Sequence, residues 1–274
     1  MAGQIPVEDT ARAVEVEAEG AHWVAPTLGY QRLALVNVVY WGEAGGAGWV
    51  LIDAGVMGSA RAILSTAEAR FGSGVPPEAI ILTHGHFDHV GALRDLAEVW
   101  NVPVYAHERE RPFLDGTSPY PPPDPTVGGG LMAASARFYP RGPIDVSEWL
   151  RALPRDGHVP GMPEWRWIAT PGHTRGHISL WHEGKRTLIA GDAFITTAQE
   201  SAYAVATQRP ELHGPPMYFT PDWSSAEVSV QRLAALEPEL VVTGHGRALQ
   251  GPEMRRALHA LAREFRQVAV PKRS

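Results

Sequence analysis

A cluster of ligand-type side chains stands where an apolar strand runs out. Ala79-Ile80-Ile81-Leu82 reads as a buried strand, and Thr83-His84-Gly85-His86-Phe87-Asp88-His89 follows it directly. Whatever fold the chain adopts must bring three imidazoles and a carboxylate to one strand end. His84 and His86 are two residues apart, so in an extended segment they point the same way. Asp88 and His89 come after the chain has to turn, which suits them to a second ion beside the first. Neutral imidazole and carboxylate are the ligands that a borderline divalent cation such as zinc prefers. The bland alternative is a histidine-rich polar surface loop. The rest of the chain argues against it, because it supplies further ligands of the same kind.

Three downstream segments repeat the pattern. Thr170-Pro171-Gly172-His173-Thr174-Arg175-Gly176-His177 follows Trp165-Arg166-Trp167-Ile168-Ala169, Gly191-Asp192-Ala193 follows Thr187-Leu188-Ile189-Ala190, and Thr243-Gly244-His245-Gly246 follows Leu240-Val241-Val242. Glycine flanks the polar residue each time, which permits a tight turn and close backbone approach. Strand ends that open into small-residue turns are where α/β proteins place their chemistry.

His84-x-His86-x-Asp88-His89, then His173, Asp192 and His245, with Leu51-Ile52-Asp53-Ala54-Gly55 upstream, resembles the metallo-β-lactamase fold superfamily with its binuclear metal site. The resemblance runs from Asn37 to His245. It implies that His84, His86 and His173 hold one metal, that Asp88, His89 and His245 hold the other, and that Asp192 bridges them. It also implies a bridging hydroxide as nucleophile, with Asp88 as the catalytic group that orients it and passes a proton to the leaving group. Asp53 matches the family's aspartate that orients ligands by hydrogen bonding; an ordinary turn aspartate is its alternative. His177 is read as a hydrogen-bonding support of the site or as a purely structural histidine. The implied fold is α/β, a four-layered αβ/βα sandwich in one domain over residues 1–274, with a loop or cap insertion at about 111–163. Periodicity alone supports only α/β.

Composition narrows the class. The chain has 274 residues, 44% of them hydrophobic and 20% charged, as in an ordinary globular protein. A net charge of −6 offers no general basic surface to nucleic acid. The absence of cysteine removes thiolate ligands and thiol nucleophiles. No signal-peptide pattern opens the chain, and no stretch reaches the roughly 20 apolar residues of a membrane span. A cytoplasmic enzyme with no membrane partner is therefore expected.

The element pattern is strand and helix in alternation. Leu33 to Tyr40 and Trp49 to Ile52 read as strands joined by the glycine-rich turn 42–48. Ala60, Ile63, Leu64 and Ala67 recur at helical spacing behind Ser59 as N-cap. Leu93, Leu96 and Val99 predict a short helix before a strand at Val102 to Ala106. Strands are expected at 165–169, 178–181, 187–190 and 240–242, and helices at 225–236 and 253–267. Met254, Leu258, Leu261 and Phe265 form a stripe on the last helix that reads as core packing, with a homodimer face as the alternative. The insertion carries Gly128-Gly129-Gly130 and a short helical pattern over 131–138. His107 reads as a core or loop histidine, and His22, His158, His182 and His259 as surface.

The cofactors implied are two divalent ions, zinc first and iron or manganese as alternatives, since nitrogen and oxygen sites discriminate weakly. The segment 194–223 follows the bridging aspartate and is rich in aromatics. It puts His213, Tyr218 and Phe219 forward as substrate-pocket residues. Apolar, aromatic loops favour a small substrate with a greasy portion, so a lactone or ester hydrolase ranks first. A glyoxalase II-like thioester hydrolase is the alternative, although only about 29 residues follow His245 where glyoxalase II carries a helical glutathione-binding domain. A mononuclear iron sulfur dioxygenase ranks third. A non-enzymatic metal-binding scaffold is disfavoured, because all seven ligand positions are filled.

Overall fold

The computed structural model describes residues 4–124, 139–197 and 210–271. The expected glycine run at 128–130, the helical pattern over 131–138 and residues 198–209 of the aromatic segment lie outside the described residues. The chain divides into two compact units, one of Val14–Tyr120 with Pro140–Arg166, the other of Met1–Ala13, Pro121–Tyr139 and Trp167–Ser274.

The first of these is built on an eight-stranded sheet in the order Val16–Ala18, Ala21–Ala25, Leu28–Leu33, Val36–Trp41, Val50–Ile52, Ala79–Ile81, Val104–Ala106, Leu150–Ala152. The early strands pair antiparallel and the last four run parallel. Val50–Ile52 and Ala79–Ile81 are buried throughout, as expected of parallel strands covered on both faces. Ile52 is level with Ile81, so the two carboxyl ends finish together and Asp53 emerges beside the loop that starts at Leu82. The helix Ala60–Phe71 covers this sheet through Ile63, Ala67 and Phe71. Trp49 and Phe71 stack with ring centroids 4.4 Å apart, and Trp23 and Tyr40 close the cluster.

In the other unit Ile178–His182 and Thr187–Gly191 form a hairpin. Thr187–Gly191 pairs parallel with Leu240–Thr243, which pairs antiparallel with Leu249–Gln250. The helices Trp223–Ala234 and Gly251–Arg263 pack with the apolar side of this sheet around Phe194, Leu233, Leu258 and Phe265. Parallel register again levels two strand ends: Gly191 lies opposite Thr243, so Asp192 and His245 leave the sheet as neighbours.

Several expectations are corrected. Leu33 to Tyr40 is two strands, because Leu33 pairs with Val36 across a turn at Ala34. Ala34 holds a φ of 60° there without a glycine or asparagine to mark it. Val99 is exposed on the helix Leu93–Trp100, where Leu93, Leu96 and Ala97 form the buried face. Ser59 stands at the N-cap position, yet its hydroxyl donates to Val56 O (2.6 Å) rather than accepting from the helix. The last helix is interrupted at Glu264 and resumes as Phe265–Val268. Its apolar stripe is buried within its own unit. His182 is buried, with Nδ1 accepting from Lys185 N at the hairpin turn (3.2 Å). Among the described residues no helix is long and apolar enough to cross a membrane.

Phe71→Ala should destabilise the protein by about 3–5 kcal/mol, since a buried aromatic leaves a cavity that the stacked Trp49 cannot fill. Urea unfolding followed by tryptophan fluorescence measures it. A loss below about 1 kcal/mol would mean that this cluster does not hold the sheet.

Candidate metal centre

The loop after Ala79–Ile81 is organised by Asp53. This aspartate sits in the left-handed region at φ 62°, a conformation that short polar side chains tolerate better than most. Its amide donates to Ile81 O (2.9 Å). Its carboxylate receives Thr83 N–H on Oδ1 (2.8 Å), and both the Thr83 hydroxyl (2.7 Å) and His89 Nδ1–H (2.9 Å) on Oδ2. A carboxylate only accepts, so His89 carries its proton on Nδ1, and Nε2 is its acceptor atom. The Thr83 hydroxyl has spent its single proton on Asp53, so at 3.1 Å it accepts from His84 Nδ1–H. His84 Nε2 is thereby the acceptor atom too. Asp53 thus sets the tautomer of two histidines, one directly and one through Thr83.

His86 leaves the strand in extended conformation and caps the short helix Phe87–Val90. Its carbonyl accepts from His89 N (2.9 Å) and Val90 N (3.1 Å). This single turn folds Asp88 and His89 back, as the motif required. His84, His86, Asp88 and His89 are all buried. The His84 ring lies 4.7 Å from His86 and 4.1 Å from His89, centroid to centroid.

The other unit places His173, Asp192 and His245 by the same logic. Thr220 donates its hydroxyl proton to Pro216 O (2.6 Å) and so accepts from His173 Nδ1–H (3.0 Å). His173 Nε2 is left with a lone pair and faces Asp192 Oδ2 at 3.5 Å. His245 Nε2 reaches the same oxygen at 3.1 Å. His173 Nε2 and Asp192 Oδ2 are both acceptor atoms, and both are buried. A divalent cation shared between them makes the arrangement favourable, so this donor set fits a metal.

His177 is hydrogen-bonded to the Asp192 backbone. Its Nε2 accepts from the Asp192 amide (2.9 Å), so its proton lies on Nδ1, which donates to the Thr170 hydroxyl (2.8 Å). Thr170 passes the chain to Ser179, and Ser179 to Ala190 O. Gly246, at φ 96°, lets the chain pass Thr196, whose Oγ1 would be 2.3 Å from an added Cβ.

Of the proposed pocket residues, Tyr218 and Phe219 lie in the buried 3-10 turn Met217–Phe219, with the Tyr139 ring 6.3 and 6.4 Å away. His213 is paired inside its own unit with Glu211, Nε2 to Oε1 3.3 Å. Sequence reasoning missed Thr83 and Thr170 as hydrogen-bond partners of His84 and His177, though both stand in the quoted motifs. It also missed Thr220, which carries no local signal.

Residues 33–245 match the metallo-beta-lactamase superfamily, and the chain belongs to it. It is 52% identical over 214 residues to "Probable metallo-hydrolase YflN" of Bacillus subtilis (strain 168), covering 78% of this chain and 81% of that one. Among solved structures, TTHA1623 in a di-iron-bound form is 26% identical with a TM-score of 0.56, over 85% of this chain and 96% of that one. A B3 metallo-beta-lactamase with an active-site glutamic acid is 20% identical with a TM-score of 0.61, over 95% and 98%. The fold is accordingly the α/β class of this superfamily, the αβ/βα sandwich that the motifs implied.

Asp53→Asn keeps a residue that tolerates a left-handed backbone but puts an amide where His89 and Thr83 donate. Metal affinity should fall about 10- to 100-fold, as when other outer partners of ligands are lost. Competition with a chromophoric chelator measures it, and wild-type affinity in this variant would show that the tautomers are set by something else.

Proposed function

We propose that this chain hydrolyses a carbonyl ester-type bond, a lactone or an ester with an apolar portion, at a two-metal centre. In this reading His84, His86 and His173 hold one ion, Asp88, His89 and His245 the other, and Asp192 is shared. The observation that carries it is the common wiring of His84, His89 and His173. Each gives its Nδ1 proton to a protein oxygen and keeps Nε2 as a donor atom. All seven side chains are buried, and each offers an atom able to hold a metal ion. The chain is an enzyme, a metallo-hydrolase of the metallo-β-lactamase superfamily.

Zinc suits the imidazole-rich donor set; bound there, the ions would supply Lewis acidity toward a carbonyl and toward water. The protein's own residues do the rest. Asp88 follows the turn that His86 caps, with its carboxylate buried, and it orients the attacking water and returns a proton to the leaving oxygen. His177 fixes the Asp192 backbone, and Asp53 fixes His89, so the ligands do not reorganise during turnover. Tyr218 and Phe219 supply the apolar wall for the acyl portion. No serine, cysteine or lysine nucleophile is needed, in keeping with a chain that has no cysteine.

A panel of an N-acyl homoserine lactone, a simple aryl ester and S-lactoylglutathione tests the reading on zinc-loaded protein. Turnover should favour the lactone or ester and grow with acyl length. Preference for the glutathione thioester would overturn the choice of bond. Asp88→Asn should lower kcat about 10²- to 10⁴-fold while the protein keeps its circular dichroism spectrum. Unchanged kcat in that variant would remove Asp88 from the mechanism.

A further inference from the structure

Gly85 lies between His84 and His86, and its amide meets two acceptors at once. It donates to Glu110 Oε2 (3.0 Å) and to the Tyr120 hydroxyl oxygen (2.9 Å). The Tyr120 hydroxyl in turn donates to Glu110 Oε2. The three groups close a triangle with no exposure of Glu110 and 5% of Tyr120. A carboxylate so far from solvent is costly unless hydrogen-bonded, and two of its bonds are spent here, beneath the ligand loop.

The surroundings hold the triangle rigid. Tyr120 stacks on Phe113 with centroids 3.7 Å apart and lies 4.5 Å from the His86 ring. Its backbone amide donates to Arg141 O (2.9 Å), and the Arg141 guanidinium donates to Tyr120 O (3.1 Å). A Cβ at Gly85 would stand 2.7 Å from the Tyr120 hydroxyl, so the loop is fitted to this phenol. Glycine otherwise gives the His84–His86 segment the widest backbone freedom of any residue.

We propose that Glu110 and Tyr120 are positioning residues for the metal centre: by fixing the Gly85 amide they set the spacing between His84 and His86 and so raise metal affinity. Glu110 and Tyr120 thereby act as a brace under the Gly85 amide. This rests on His84 and His86 being ligands, as in the reading above.

The test is zinc affinity by competition with a chromophoric chelator, together with the rate of metal loss to EDTA. Wild type is compared with Tyr120→Phe, Glu110→Ala, Glu110→Gln and His86→Ala. Tyr120→Phe keeps both ring contacts and removes only the hydroxyl. It and Glu110→Ala should weaken zinc binding about 10- to 100-fold and speed its loss. Glu110→Gln retains an oxygen for the Gly85 amide and should recover most of what Glu110→Ala loses, which a merely stabilising role would not produce. If Glu110→Ala does not fold, Tyr120→Phe carries the test. Wild-type affinity in Tyr120→Phe, with weakened binding in His86→Ala, would overturn the brace alone. Wild-type affinity in His86→Ala would overturn the ligand reading itself.

Discussion

A buried imidazole can give a lone pair to a cation through one nitrogen only after its proton has been settled on the other. That constraint is met at three of the buried histidines. His89 gives its proton to Asp53, His84 to Thr83, and His173 to Thr220. Thr83 and Thr220 can accept because each hydroxyl has already donated, to Asp53 and to Pro216 O. The same rule run backwards explains His177. Its Nε2 accepts from the Asp192 amide, so it is consumed as a support and is not available as a ligand. Histidines that look alike in sequence are separated by where their protons go.

The sheets make this wiring possible. Parallel pairing ends Val50–Ile52 and Ala79–Ile81 at one level, so Asp53 meets Thr83 and His89 across 30 and 36 residues of sequence. Parallel pairing of Thr187–Gly191 with Leu240–Thr243 does the same for Asp192 and His245. In each unit the His and Asp side chains thus stand at carboxyl ends of adjacent parallel strands.

Much of this was legible in the chain because ligand chemistry and strand ends both leave local marks. Most strands and helices could be read from residue type and spacing, and the set of His and Asp ligands was implied by the likeness of the motifs to the superfamily. What could not be read depends on contacts between distant segments. Thr220 meets His173 across 47 residues, and Tyr120 meets Gly85 across 35; neither threonine nor tyrosine announces such a partner. The turn at Ala34 was missed because an alanine at positive φ imitates a continuing strand. Val99 kept helical spacing yet faces outward, since spacing fixes a stripe only to within its edges. His182 passed for a surface histidine because a polar residue at a hairpin end is usually exposed; here its Nδ1 instead caps the turn.

The two-metal centre is the claim on which the mechanism and the brace both stand. Native mass spectrometry of the protein titrated with zinc counts the ions directly on the folded chain. The wiring predicts two ions per chain at saturation, lost together as chelator is added in excess. A protein that saturates with one ion, or that remains metal-free, would contradict it.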